Sequence, residues 1–174
     1  MRVIFKADNL QLFRQCAGVG LIEILVAMLL LSVGLLGFLG LEALGLQAER
    51  SAFYRTSASL LSTDAIERIR ANRAGYVASD YSASAPSASE SCFDSSGCSS
   101  KTLAQFDLHE LQLRAAGELP SGVLVVCRDN TPNDGMPARH ECDGSSRGIA
   151  VKIWWDDNRD GIAETRVSAS VAFP

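Results

Sequence analysis

Proline is scarce in this chain, and none lies between 42 and 73, where glycine is also absent after Gly45. Nothing in that stretch interrupts a helix. The five cysteines form no Cys-x-x-Cys pair, and His109 stands far from them in sequence, which disfavours a zinc site. Net positive charge is missing as well: at pH 7 the formal charge is -4, and Arg2, Lys6 and Arg14 outweigh Asp8 before Gly18, so the rest is more acidic still. That balance argues against a nucleic-acid-binding surface. Serines are plentiful because the loops are serine-rich, His109 has no identifiable nucleophile beside it, and the paired carboxylates lie in turns. No catalytic system stands out, and the chain is read as a non-enzyme.

What is present is one long apolar block. From Val19 to Leu46 the only polar side chains are Glu23, Ser32 and Glu42, and Ile24 to Leu41 carries no charge at all. That run is at the lower edge of the about 17–25 residues that cross a hydrocarbon layer, and it exceeds the h-region of an ordinary secretory signal. Basic residues precede it, so the short N-terminus is expected to stay inside and the long remainder outside. Glu23 sits at the entrance of the run. Either it marks the headgroup boundary or it has a partner and a function, because a carboxylate near the bilayer is costly alone. Gly34, Gly37, Gly40 and Gly45 would permit close helix contact or local unwinding, though none forms a Gly-x-x-x-Gly pair.

With the remainder outside the cytoplasm, two disulfides are expected among Cys92, Cys98, Cys127 and Cys142. Four cysteines permit three pairings, and proximity in sequence favours Cys92 with Cys98 and Cys127 with Cys142. Helix is expected to continue past the apolar run, with Ala58, Leu61, Ala65 and Ile69 as one side, Leu60 and Ile66 widening it, an exposed Asp64–Arg68 pair, and Gly75 as the stop. Such a helix would measure roughly 80 Å, too long for a small core. From Gly75 to Ser100 the chain reads as a surface loop pinned by its cysteines. A second helix is expected over residues 102–116, with Leu103, Phe106, Leu111 and Leu113 partly along one side, ending before Gly117. Strands follow at Gly122–Cys127, Gly148–Trp155 and Ile162–Ala172. Trp154 and Trp155 must point to opposite faces, one to the core and the other toward a partner or solvent. The order long helix, loop, antiparallel sheet is an α+β arrangement.

The metal candidate is the segment from Asp156 to Gly161. Asp156, Asn158, Asp160 and Gly161 match the first half of an EF-hand loop and Glu164 falls on its ninth position, but the twelfth is Val167. A plain Asn/Asp/Gly turn between two strands explains the same residues and is preferred; calcium is the weaker reading, and no other cofactor is expected.

Gly18-Val19-Gly20-Leu21-Ile22-Glu23 followed by Ile24 to Leu31, after a basic leader, resembles the class III leader junction of type IV pilins and type II secretion pseudopilins. The resemblance implies a pilin-like fold, cleavage after Gly18 by a prepilin peptidase, and methylation of Val19 where the family most often has Phe. Cys16 would leave with the leader. It also implies that Glu23 engages the N-terminal amine of a neighbouring subunit during assembly. The domains would then be a leader (1–18), a transmembrane and assembly half-helix (19–41), a periplasmic half-helix (42–74) and a C-terminal α+β head (75–174). Ala48-Glu49-Arg50-Ser51 through Tyr54-Arg55, Asp64 through Arg73, and Leu119-Pro120-Ser121-Gly122 resemble PilV-like minor pilins more particularly. That implies a subunit that helps start pilus assembly in a priming or tip complex. Its partners would be other minor pilins, the major pilin, the inner-membrane assembly machinery and a tip adhesin. Its place would be the inner membrane, with the head in the periplasm, and the fibre or its tip. A minor pseudopilin of a type II secretion system is the alternative.

Overall fold

The computed structural model describes residues 20–83, 86–88, 90–144 and 148–171. Helix α1 runs Leu21–Ala71, followed by α2 Arg73–Val77, α3 Asp80–Ala83, a 3-10 turn Glu90–Phe93 and α4 Ser100–Glu118. Strands β1 Val123–Arg128, β2 Ile149–Trp155 and β3 Thr165–Val171 complete an α+β fold, and they form one antiparallel sheet in the order β1-β2-β3. The chain divides into two compact units, Met1–Gly45 and Leu46–Pro174. Gly18, Val19 and the basic leader lie outside the described residues, as does Ala172.

In the Leu46–Pro174 unit, α1 buries Tyr54, Ala58, Leu61, Ser62, Ala65 and Ile69, a stripe at three- and four-residue spacing. Ala58 and Ala65 are fully buried within that stripe. Leu60 does not widen the stripe; one residue before Leu61 is 100° around the helix, and its side chain is exposed. The helix stops earlier than glycine content predicts. Asn72 leaves helical geometry (φ -99°, ψ 61°), its Oδ1 accepts from the Gly75 N–H at 3.1 Å, and its Nδ2 donates to the Ser100 carbonyl at 2.7 Å. Gly75 lies buried inside α2, not at a helix end.

The segment after Gly75 is more ordered than a covering loop because two tyrosines pull it inward. Tyr76 and Tyr81 join the core, and the Tyr81 hydroxyl donates to Asp107 at 2.6 Å. Burial first, and that acceptor second, push the Tyr81 hydroxyl well above its ordinary pKa. Phe93 meets Phe106 edge to face at 5.2 Å, and a Cys92–Cys98 disulfide closes the turn just ahead of Ser99. Ser99 caps α4 by accepting from the Thr102 N–H at 3.1 Å.

Helix α4 buries Ala104, Asp107, Leu108, Leu111 and Ala115. Leu113 was expected on that side but is exposed, because 104, 108, 111 and 115 keep the helical period and 113 breaks it. The helix passes through Gly117 to Glu118. The link to β1 is tight: a Cβ on Gly122 would sit 2.0 Å from the Ala115 carbonyl oxygen. Only glycine fits that approach.

The Asp64–Arg68 pair is part of a network, not an isolated surface pair. Arg68 donates to Asp64 at 3.1 Å and to Asp107 at 3.3 Å, and Arg114 donates to Asp64 at 2.6 Å. Four helix positions are thereby tied, two on α1 and two on α4, and the network sits at the rim of the core where solvent screening is partial.

Strand β2 is buried along its whole length. Ile149, Val151, Ile153 and Trp155 join Leu124 and Val126 of β1 and the helices in one core. Ala150, Lys152 and Trp154 point to the other face, which is also covered. Trp154 is 1% exposed instead of partner-facing, with the His140 ring stacked on it at 5.8 Å.

Truncating the stripe tests this packing. Leu61→Ala should destabilise the detergent-solubilised full chain by about 2–5 kcal/mol, whereas Leu60→Ala should stay within about 0.5 kcal/mol. Chemical denaturation followed by circular dichroism reads both.

Candidate functional site

The described part of the Met1–Gly45 unit is helix with no cover. Leu21, Ile22, Leu25, Leu31, Leu36, Phe38 and Leu41 are all exposed, and so is every other side chain from Leu21 to Gly45. The most apolar 18-residue window of α1 has a mean hydropathy of 2.7 and none of it is buried, so among the described residues this one helix is long and apolar enough to cross a membrane. Its backbone groups bond internally, as a lipid-facing segment requires. The single hydroxyl is handled the same way: Ser32 Oγ donates to the Leu29 carbonyl at 2.8 Å. At Gly34, Gly37, Gly40 and Gly45 an added Cβ would meet nothing within 4 Å, so nothing among the described residues requires glycine there.

Glu23 lies in the first turn of α1, whose start is marked by the Gly20 carbonyl accepting from the Glu23 N–H at 2.9 Å. The free N–H groups and dipole of that end favour a carboxylate.

Beyond the helix, the candidate calcium ligands are engaged with the backbone of their own turn. Asp156 accepts from the N–H groups of Asp160 at 3.2 Å and Gly161 at 2.7 Å, Asn158 Oδ1 accepts from the Asp160 N–H at 3.1 Å, and Asp160 accepts from the Ile162 N–H at 2.8 Å. These are Asx-type turn bonds. Glu164 is exposed, and among the described residues no three His, Cys, Asp or Glu side chains are grouped to hold a metal. The same turn is fastened to α1. Ser51 donates to Asp157 at 2.6 Å, the Trp155 indole donates to Asp157 at 3.1 Å, and Arg159 donates to the Tyr54 hydroxyl at 2.6 Å. The Ser51 bond, with that of Trp155, holds the Asp157 carboxyl below its ordinary pKa.

Cys127 is bonded to Cys142, with Cα atoms 6.1 Å apart. The segment it closes covers the second face of the sheet, and its key is a residue sequence reasoning passed over. Lys152, 0% exposed, is paired with Asp129, donates to Asp134 Oδ1 at 2.7 Å and donates to the His140 carbonyl at 2.8 Å. Burial by itself would lower the Lys152 pKa, but the hydrogen bonds to Asp129 and Asp134 outweigh it and raise the value. The bond from Lys152, and then that from Thr131, lowers the Asp134 pKa. Arg166 adds a bond to the Gly135 carbonyl at 2.9 Å, where Gly135 has a φ of 81°. A lysine between Val151 and Ile153 in an apolar strand was the available signal. His140 also went unweighed, and the reading that no Gly-x-Ser-x-Gly sequence occurs is wrong, because Gly144-Ser145-Ser146-Arg147-Gly148 spells it. Residues 145–147 lie outside the described set, and the motif runs into strand β2, not into the helix that a nucleophile elbow needs.

Residues 13–39 match the family model described as the prokaryotic N-terminal methylation motif, and residues 40–109 match the one described as type IV pilin Tt1218. No curated protein and no solved structure matches the chain. The chain has a type IV pilin-like fold with an N-terminal methylation motif, consistent with minor pilins generally.

The Lys152 clasp makes a prediction with a definite sign. A raised lysine pKa contributes stability below its unfolded value that is lost as pH rises through the folded value; the lowered Asp134 pKa contributes stability at neutral pH that is lost as pH falls through it. Lys152→Met should cost about 3–5 kcal/mol at pH 7, because it leaves Asp129 buried without its cation. The gap to wild type should narrow in acid, read from denaturation midpoints across pH. A constant gap contradicts the clasp.

Proposed function

We propose that this chain is a minor pilin that takes part in starting assembly of the type IV pilus, in a priming or tip complex with other minor pilins. One observation carries the reading: a helix apolar on every side from Leu21 to Gly45, interrupted only by Glu23, Ser32 and Glu42. It suits lipid first and a bundle of like helices afterwards. On this reading a prepilin peptidase cuts after Gly18 and Val19 becomes the methylated N-terminus. The protein is single-pass in the bacterial inner membrane, with residues 19–41 in the membrane, 42–74 as the periplasmic half-helix and 75–174 as the head. It then enters the fibre or its tip. The methylation-motif match, which spans the Gly18 junction, supports this processing.

Glu23 has the assembly role here. A carboxylate carried into low dielectric needs a partner cation, and the new amine at Val19 of a neighbouring subunit is one. Other minor pilins, the major pilin and the inner-membrane assembly machinery are the partners, and a tip adhesin is a further one. The PilV-like resemblance at Ala48 to Arg55, Asp64 to Arg73 and Leu119 to Gly122 supports the pilus over a type II secretion pseudopilus. Deletion of the gene should abolish surface pili and spare protein secretion; loss of secretion with intact pili reverses the choice.

Glu23→Ala should leave membrane insertion intact and abolish co-purification with partner subunits. Normal co-purification of the variant would sink the assembly role.

A further inference from the structure

The sheet face that carries Lys152 also carries a cavity of about 1020 Å³, lined wholly by residues of the Leu46–Pro174 unit. Its floor is one row across the sheet: Val123 pairs with Trp154 and Trp154 with Arg166, so the three side chains share a face. Met136 and Pro137 of the disulfide-closed segment form one wall, and Ile162 of the β2–β3 connection forms another. A space of this size is at the top of the range for small-molecule sites.

Two groups on the floor call for an acceptor. Trp154 is 1% exposed, and its indole N–H, itself buried, has no hydrogen-bond partner among the described residues. A buried donor left unpaired is costly, and folded proteins seldom keep one. Trp155 shows the ordinary arrangement, donating to Asp157 at 3.1 Å. Arg166 supplies positive charge beside the indole. It donates to the Gly135 carbonyl at 2.9 Å and to the Asn133 carbonyl, and a guanidinium has more N–H donors than two carbonyls take up. One carboxylate, Glu164, also lines the cavity, but it is exposed and water screens it. A sugar ring does not fit the same floor, because the indole is buried and the His140 ring is already stacked on it.

We propose that this cavity binds a small apolar carboxylic acid. Its carboxylate accepts from the Trp154 N–H and from Arg166, and its apolar body lies over Val123 between Ile162, Met136 and Pro137. The N–H is sealed beneath the wall, so entry includes a small shift there; Met136 is exposed, and its unbranched side chain adapts readily. A charge-assisted bond to the guanidinium favours the anion over a neutral molecule of the same shape, while Glu164 disfavours a second negative charge. The site goes beyond the assembly reading and stands whether or not the chain enters a pilus.

The chain holds two tryptophans, so each can be watched separately. Full-length protein in detergent micelles, isotope-labelled at the indole nitrogens and assigned with Trp154→Phe, is titrated with phenylpropionate by nuclear magnetic resonance. Neutral phenylpropanol and a decapeptide ending in phenylalanine with a free carboxylate are run in parallel. The acid should move the Trp154 N–H resonance saturably and leave that of Trp155 in place, with the alcohol about tenfold weaker. Arg166→Gln should erase that preference. Because Arg166 also holds carbonyls of the covering segment, Glu164→Gln is the second variant; it changes an exposed side chain and should tighten the acid about twofold. No saturable shift at Trp154, equal shifts at both tryptophans, equal affinity for acid and alcohol, a preference that survives Arg166→Gln, or binding of the peptide alone overturns the small-acid site.

Discussion

A helical surface that is apolar and exposed throughout the described part of its unit governs the rest of the molecule. Burying one large aliphatic or aromatic side chain is worth about 1.5–3 kcal/mol, so the exposed residues from Leu21 to Leu44 together represent several tens of kcal/mol. A domain's net stability is only about 5–15 kcal/mol. No rearrangement of the head could offset leaving that surface in water, and the head is too small to wrap it. The helix must be met by lipid or by other helices, and its internally bonded Ser32 suits both.

The head meets a different demand, which is to hold a small sheet in place with little apolar mass. Polar fasteners do much of that work. Arg68, Asp64, Asp107, Arg114 and Tyr81 tie α1 to α4. Ser51, Tyr54, Asp157 and Arg159 fix the β2–β3 turn to α1. Lys152 and the Cys127–Cys142 bond hold the cover over the second face of the sheet. Each closes a long excursion of the chain, where a disulfide or a buried ion pair restricts the most conformational freedom. The outcome is a sheet whose central strand is dry on both sides although the core is modest.

The α+β class was legible because its signals are periodic and local: an unbroken helix former run, then alternating strands around Val151, Ile153 and Trp155. The apolar helix and its lone acidic residue near the entrance were equally plain, since composition alone reveals them. Sequence could not show the contacts between distant segments. The Asp64–Arg68 spacing reads as a surface pair, and only folding brings Asp107 and Arg114 to it. Asn72 ends α1 through a bond to Ser100, a partner that no local rule points to, so Gly75 was the natural but mistaken choice. Lys152 looks like an ordinary polar position in a strand until the disulfide-closed segment is laid over it.

The claim under all of this is that a short basic leader is removed at Gly18 while the apolar helix is kept. Intact mass spectrometry of the mature protein from native membranes measures it directly. The account predicts a chain that begins at Val19, carries one N-terminal methyl group and retains every residue of the helix. A mature protein with residues 1–18 still attached, or one from which the helix has been cut away, contradicts it.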